Sequence, residues 1–114
     1  MKLTNIIKEI FKKYRNSEEI SIDYENAKQI LKNDKNAILL DVRSAQEYKE
    51  YHLDRSINYP IYNIERDCEN LKFNKQDTII VYFQSGGRSK RACKILKEHG
   101  YKNIYEISGG LDNI

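Results

Sequence analysis

Five consecutive residues, Gln84-Ser85-Gly86-Gly87-Arg88, gather the groups best suited to chemistry in this chain of 114 residues. Two adjacent glycines permit positive φ and a close approach of the backbone to a ligand. Arg88 adds a planar, charged fork of the kind that grips an oxyanion. Before the loop, Thr78-Ile79-Ile80-Val81-Tyr82 is a run of β-branched and aromatic residues, the composition of a strand covered on both faces. After it, Ala92, Ile95, Leu96 and His99 recur at helical spacing, so a helix is expected from Ser89 on, spanning about Arg88–His99. A strand, a glycine loop and a helix N-terminus in that order aim free N–H groups and the positive end of a helix dipole at one point. The sequence supports an anion cradle here, with an ordinary strand-to-helix turn as the alternative, because a glycine-rich loop taken singly is a weak signal.

Few other residues compete for a chemical role. The two cysteines, Cys68 and Cys93, form no CxxC, so neither a zinc site nor a disulfide framework is indicated. Cys93 falls beside the Ala92/Leu96 stripe and reads as a buried packing thiol. Cys68 sits at an apolar position of an expected helix from Ile61 to Leu71, without a cradle of its own. His52 reads as a hydrogen-bonded framework histidine rather than a general base. Nothing in the pattern calls for a metal or a cofactor.

The remaining elements must position that loop. Ile20-Ser21-Ile22 is a short strand, and Asp23 caps a helix running to Lys32. Ala37-Ile38-Leu39-Leu40-Asp41-Val42 is a second continuously apolar strand, and Ser44-Ala45-Gln46-Glu47 is a capping box opening a short helix to about Tyr51. Ser56-Ile57-Asn58 is a brief strand ended by Pro60, the only proline. Gly100 is placed to end the long helix, and Ile104-Tyr105-Glu106-Ile107 is a last strand closed by Ser108-Gly109-Gly110. Five short strands alternating with helices predict an α/β fold: a parallel sheet with helices on both faces and right-handed crossovers. Ahead of this domain, residues 18–114, residues 1–17 read as an amphipathic helical extension. Leu3, Ile6, Ile7, Ile10, Phe11 and Tyr14 share one face and basic residues the other. A basic amphipathic helix can lie on an anionic membrane or in a partner's groove; with a single Phe and no Trp, packing on its own domain is the expectation.

A net charge of +3 from 20 basic and 17 acidic residues gives no clustered basic face, so no nucleic-acid partner is expected. No apolar run approaches the ~20 residues of a spanning helix. A cytoplasmic address is the default expectation.

Two blocks of the chain carry a family resemblance. Asp41-Val42-Arg43, Glu47-Tyr48, His52-Leu53, Ile57-Asn58 and Pro60 form the first. Val81-Tyr82-Phe83, Gly87-Arg88-Ser89, Ala92, Leu96, Gly100-Tyr101, Asn103-Ile104-Tyr105 and Gly109-Gly110 form the second. Together they resemble, from about Ile20 to Gly110, the rhodanese-like sulfurtransferase domains, single-domain type. The resemblance implies a cysteine at the end of the central strand that takes sulfur from a donor such as thiosulfate and carries it as a persulfide, with the following loop supplying N–H groups around it. At that position this chain has Phe83, which cannot ionise or attack sulfur. The resemblance therefore implies a scaffold in which Gln84, Ser85, Gly86, Gly87, Arg88 and Ser89 keep the anion loop while the nucleophile is absent. A binding or regulatory module is the expectation, its partner a small thiosulfate-like anion or a protein. The alternative is an active sulfurtransferase using another cysteine such as Cys93. A phosphatase-like use of the loop ranks lower, since the loop is one residue short of the Cys-x5-Arg pattern and lacks the same nucleophile. The family often has Gly at Tyr51 and Gly-Ala at Arg55-Ser56, so the connection between them is bulkier here. It also often ends in a tryptophan and a short helix, where this chain has Leu111-Asp112-Asn113-Ile114.

Overall fold

The computed structural model describes residues 8–10 and 21–114, and for residues 86–88 the backbone. From Ser21 on, among the described residues, five strands and four helices alternate: β1 (Ser21–Ile22), α1 (Tyr24–Asn33), β2 (Ile38–Asp41), α2 (Ala45–Glu50), β3 (Ile57–Asn58), α3 (Ile61–Asp67), β4 (Thr78–Tyr82), α4 (Gly86–Glu98) and β5 (Asn103–Ile107). A 3₁₀ turn, Gly110–Asn113, follows β5. The strands form one parallel sheet in the order β1-β5-β4-β2-β3. The expected fold class is the one found.

Local chemistry explains the helix starts. The Asp23 carboxylate accepts from the Asn26 N–H at 2.8 Å and caps α1. At α2 the capping box is complete: Ser44 Oγ accepts from the Glu47 N–H and the Glu47 carboxylate accepts from the Ser44 N–H, both at 3.2 Å. Gly100, at φ 92, ends α4. The N–H groups of Gly100 and Tyr101 turn back to the carbonyls of Lys97 and Leu96, each at 3.1 Å, the pattern that satisfies a helix's last acceptors.

Two boundaries differ from expectation. α4 begins at Gly86 rather than at Arg88 or Ser89, so both glycines of the loop lie in helical backbone and neither is used for a left-handed turn. α3 stops at Asp67 rather than Leu71, because the Asn70 N–H bonds back to the Asp67 carbonyl at 2.7 Å and closes a turn instead of extending the ladder.

Every residue of β4 is buried, and its alternation divides the core in two. Ile79, Val81 and Phe83 face a cluster with Leu40, Val42, Ile64 of α3, and Ala92, Cys93 and Leu96 of α4. Ile80 and Tyr82 face the other, with Leu39, Ile107, and Ala27 and Ile30 of α1. Helices thus cover both faces, and burying each large aliphatic side chain is worth about 1.5–3 kcal/mol. Lys8–Ile10 is helical, and Ile10 is buried in the α1-side cluster. The rest of the proposed 1–17 helix lies outside the described residues. Among the described residues no helix is long and apolar enough to cross a membrane.

Candidate functional site

The site forms where the central strand ends. Since β4 lies between β2 and β5, the carboxyl ends of β2 and β4 open side by side, and the connections after them meet above the sheet. Ser85 is extended at φ −129 and ψ 160 and caps α4 without a side-chain hydrogen bond to its first turn. The first turn of α4, at the positive end of the helix dipole, follows directly on Ser85.

The loop is clamped from two sides that the sequence did not connect. From β2, Asp41 and Arg43 form a buried bidentate pair: Arg43 Nη2 donates to Asp41 Oδ2 at 2.8 Å and Nε to Oδ1 at 3.1 Å. Held this way, Arg43 also donates to the Tyr51 carbonyl at 2.5 Å and to Gln84 Oε1 at 3.1 Å. Asp41 and Arg43 therefore serve structure, with the loop as the object of their pairing. From the C-terminus, the N–H groups of Leu111 and Asp112 donate to the carbonyls of Phe83 and Gln84, each at 3.0 Å, and Gln84 Nε2 donates to Asp112 Oδ1 at 2.7 Å. The terminal tetrapeptide, read as a chain end lacking the family's short helix, makes a 3₁₀ turn that holds the loop. The signal was present in Gly109-Gly110, at φ 78 and 64, the left-handed backbone that lets the turn double back.

Phe83 is 5% exposed. Its ring belongs to the α3–α4 side of the core and also floors a cavity of about 450 Å³ lined by Val42, Ala45, Pro60, Ile61 and Tyr62, with Arg91 and Glu47 at its rim. Of the residues singled out in the sequence, Gln84 is half-buried, Ser85 exposed and Ser89 buried, its hydroxyl donating to the Glu106 carboxylate. Gly86, Gly87 and Arg88 form the first turn of α4, and their side-chain surroundings lie outside the described residues.

The other candidates take structural places. Cys93 is fully buried, and burial, with Glu106 nearby, pushes its thiol up to about 12. A thiol so placed stays protonated and out of reach. His52 stacks on Tyr48 with ring centroids 3.7 Å apart and bonds the Tyr48 carbonyl through Nδ1 at 2.7 Å, as a framework residue does. Arg55 has φ 69, which explains why glycine suits that position. Its guanidinium compensates by donating to the Lys35 and Ala37 carbonyls, each at 3.2 Å. Among the described residues no three His, Cys, Asp or Glu converge as a metal site.

A doubly covered parallel sheet with a strand–loop–helix junction at its carboxyl edge defines a class of α/β domain. By its match to the family model "Rhodanese-like domain" over residues 23–114, the chain belongs to the rhodanese-like family. It is 34% identical over 106 residues to a thiosulfate:glutathione sulfurtransferase of Saccharomyces cerevisiae, covering 82% of this chain and 76% of that one. It is 37% identical over 81 residues, 68% of this chain, to a tRNA uridine(34) hydroxylase of Buchnera aphidicola, of whose length it spans 26%. A solved structure of an uncharacterized Saccharomyces cerevisiae protein superposes with a TM-score of 0.72 at 32% identity, covering 85% of this chain and 91% of that one.

Proposed function

We propose that this chain is a rhodanese-like binding module, residues 18–114 with 1–17 as its extension. In this reading its loop engages a small thiosulfate-like anion or a protein partner and forms no persulfide at position 83. One observation carries the reading: the side chain at the end of β4 is a phenyl ring, packed into the core and flooring the cavity beside the loop. A ring offers neither a thiolate nor a sulfur to extend, and both are needed for covalent sulfur transfer. The helix N-terminus that follows the loop and the clamped Gln84 support retained binding. The cavity's mixed lining, apolar at Val42, Pro60 and Ile61 and polar at Ser44, Glu47 and Arg91, and the exposed Tyr62 suit a partner's side chain. Use of Cys93 instead has no support, since its thiol is buried and held protonated. The cytoplasmic setting expected from the sequence belongs to this same proposal.

The test compares the protein with Phe83→Cys for thiosulfate:cyanide sulfur transfer. The expected result is background turnover in the natural chain and clear turnover in the variant. Turnover in a natural chain whose Cys68 and Cys93 are both replaced by serine would overturn the reading. An inactive but folded Phe83→Cys protein would overturn the claim that the loop remains a competent scaffold.

A further inference from the structure

At the far end of α4 a second arrangement of reactive groups occurs, about 20 Å along the helix from the loop at 1.5 Å per residue. Cys68 caps α3 and His99 caps α4, and the packing of these two helices brings together residues 31 apart in sequence. His99 Nδ1 lies 2.9 Å from the Ile95 carbonyl, an acceptor only, so Nδ1 carries the proton and donates. Nε2 is thereby left with its lone pair, and it lies 3.1 Å from Cys68 Sγ. The thiol's other acceptor, the Glu65 carbonyl, is farther off at 3.6 Å. This is the geometry of a thiol facing a general base whose tautomer is fixed by a third group.

Cys68, 9% exposed, and His99 are among the residues lining a groove of about 570 Å³, within the usual range for small-molecule sites. Its charges are Glu65 from α3 and Arg91, Lys94 and Glu98 from α4, with Tyr101 beyond the helix end also close enough to interact with Cys68. Glu65 and Arg91 pair at 2.6 Å. Cations and carboxylates thus share one rim, a mixture that complements a ligand bearing both carboxylate and ammonium groups.

We propose that Cys68 and His99 form a thiol-exchange site for small disulfides built from amino acids, separate from the loop at Phe83. His99 Nε2 takes the Cys68 proton. The thiolate attacks one sulfur of the disulfide RSSR, the Cys68–sulfur bond forms, and the S–S bond of RSSR breaks. The leaving thiolate takes the proton back from His99. The products are Cys68–S–SR and RSH, the disulfide being the only oxidant.

Oxidised glutathione is the probe, and the readout is the intact mass of the full chain followed by peptide mapping. One glutathionyl group should appear on Cys68 and none on Cys93, and the rate should fall tenfold or more in His99→Gln, in line with the loss of an acid–base partner. His99→Asn serves as a second variant should His99→Gln fail to fold, and circular dichroism of each checks the fold. Uncharged 2-hydroxyethyl disulfide should react more slowly at Cys68 than oxidised glutathione. Absence of the adduct, an adduct on Cys93, or an undiminished rate in a folded His99 variant would overturn the dyad. Equal rates for the two disulfides would overturn the ligand class. None of these outcomes depends on position 83, so the dyad and the loop stand or fall separately.

Discussion

The cost of keeping a thiol in the core is a pH dependence. Cys93 has no exposed surface, and burial first and the neighbouring Glu106 second raise its folded value from about 9 to about 12. The unfolded chain releases that proton near pH 9 while the folded chain still holds it. Stability from Cys93 is therefore fully present below pH 9 and lost as the pH climbs toward 12. Comparing urea unfolding of the natural chain with Cys93→Ala across that range should show the gap between them closing at high pH. A gap that stays constant would mean the thiol is not held protonated. Buried Tyr82, whose phenol burial also pushes up, leaves both proteins with some remaining alkaline loss, which is why the difference is the informative quantity. At this scale Cys93 was legible from its place beside Ala92 and Leu96. The pairing of Cys68 with His99 was not, because nothing local links residues that meet only when α3 docks on α4.

Among the elements, the terminal 3₁₀ turn does the least expected work. Gly110 sits at φ 64, and a Cβ there would come within 2.5 Å of the Phe83 carbonyl oxygen and 2.8 Å of that of Gln84. Both atoms are backbone at the end of the central strand and cannot withdraw. Gly110→Ala should therefore release the turn and break the two bonds from Leu111 and Asp112, a loss of roughly 3 kcal/mol from left-handed strain plus two hydrogen bonds. Gly109→Ala should cost less, since the nearest atom there, the Asn113 Cβ at 2.5 Å, belongs to the exposed terminal turn, which can shift as a unit, and not to the end of the central strand. Denaturant midpoints for the two variants check the order, and a smaller loss at Gly110 than at Gly109 would contradict it. Most elements could be read from the sequence because their signals are local: the capping box at Ser44, the apolar run of β4, the glycine at 100. The start of α4 could not, since Gly86-Gly87 reads as a turn and becomes a helix only when Ser85 takes an extended conformation and the loop before it is clamped.

Across the whole molecule, the edge strand, its neighbour and the loop's helix are joined at one buried carboxylate. Glu106 of β5 is 1% exposed. It accepts from Ser21 Oγ of β1 at 2.5 Å and from Ser89 Oγ, one turn into α4. The alternation of β5 places this carboxylate between Tyr105 and Ile107, a position the sequence alone assigns only to a strand. A buried charge is tolerable while its oxygens are bonded and costly once they are not. Either serine alone leaves one hydroxyl on Glu106, so Ser89→Ala should cost about 2 kcal/mol, the scale of a hydrogen bond to a charged group. Ser21→Ala should cost less, because Ser21 is only partly buried and water can replace its hydroxyl. Removing both strips the carboxylate, and the double variant should lose more than the sum of the single ones by about 1 kcal/mol. Urea midpoints at constant m value measure all four corners of this cycle. Strict additivity would show that β1 and α4 are anchored independently. A surplus would mean that the short edge strand, through Glu106, helps hold the helix whose first turn makes the loop.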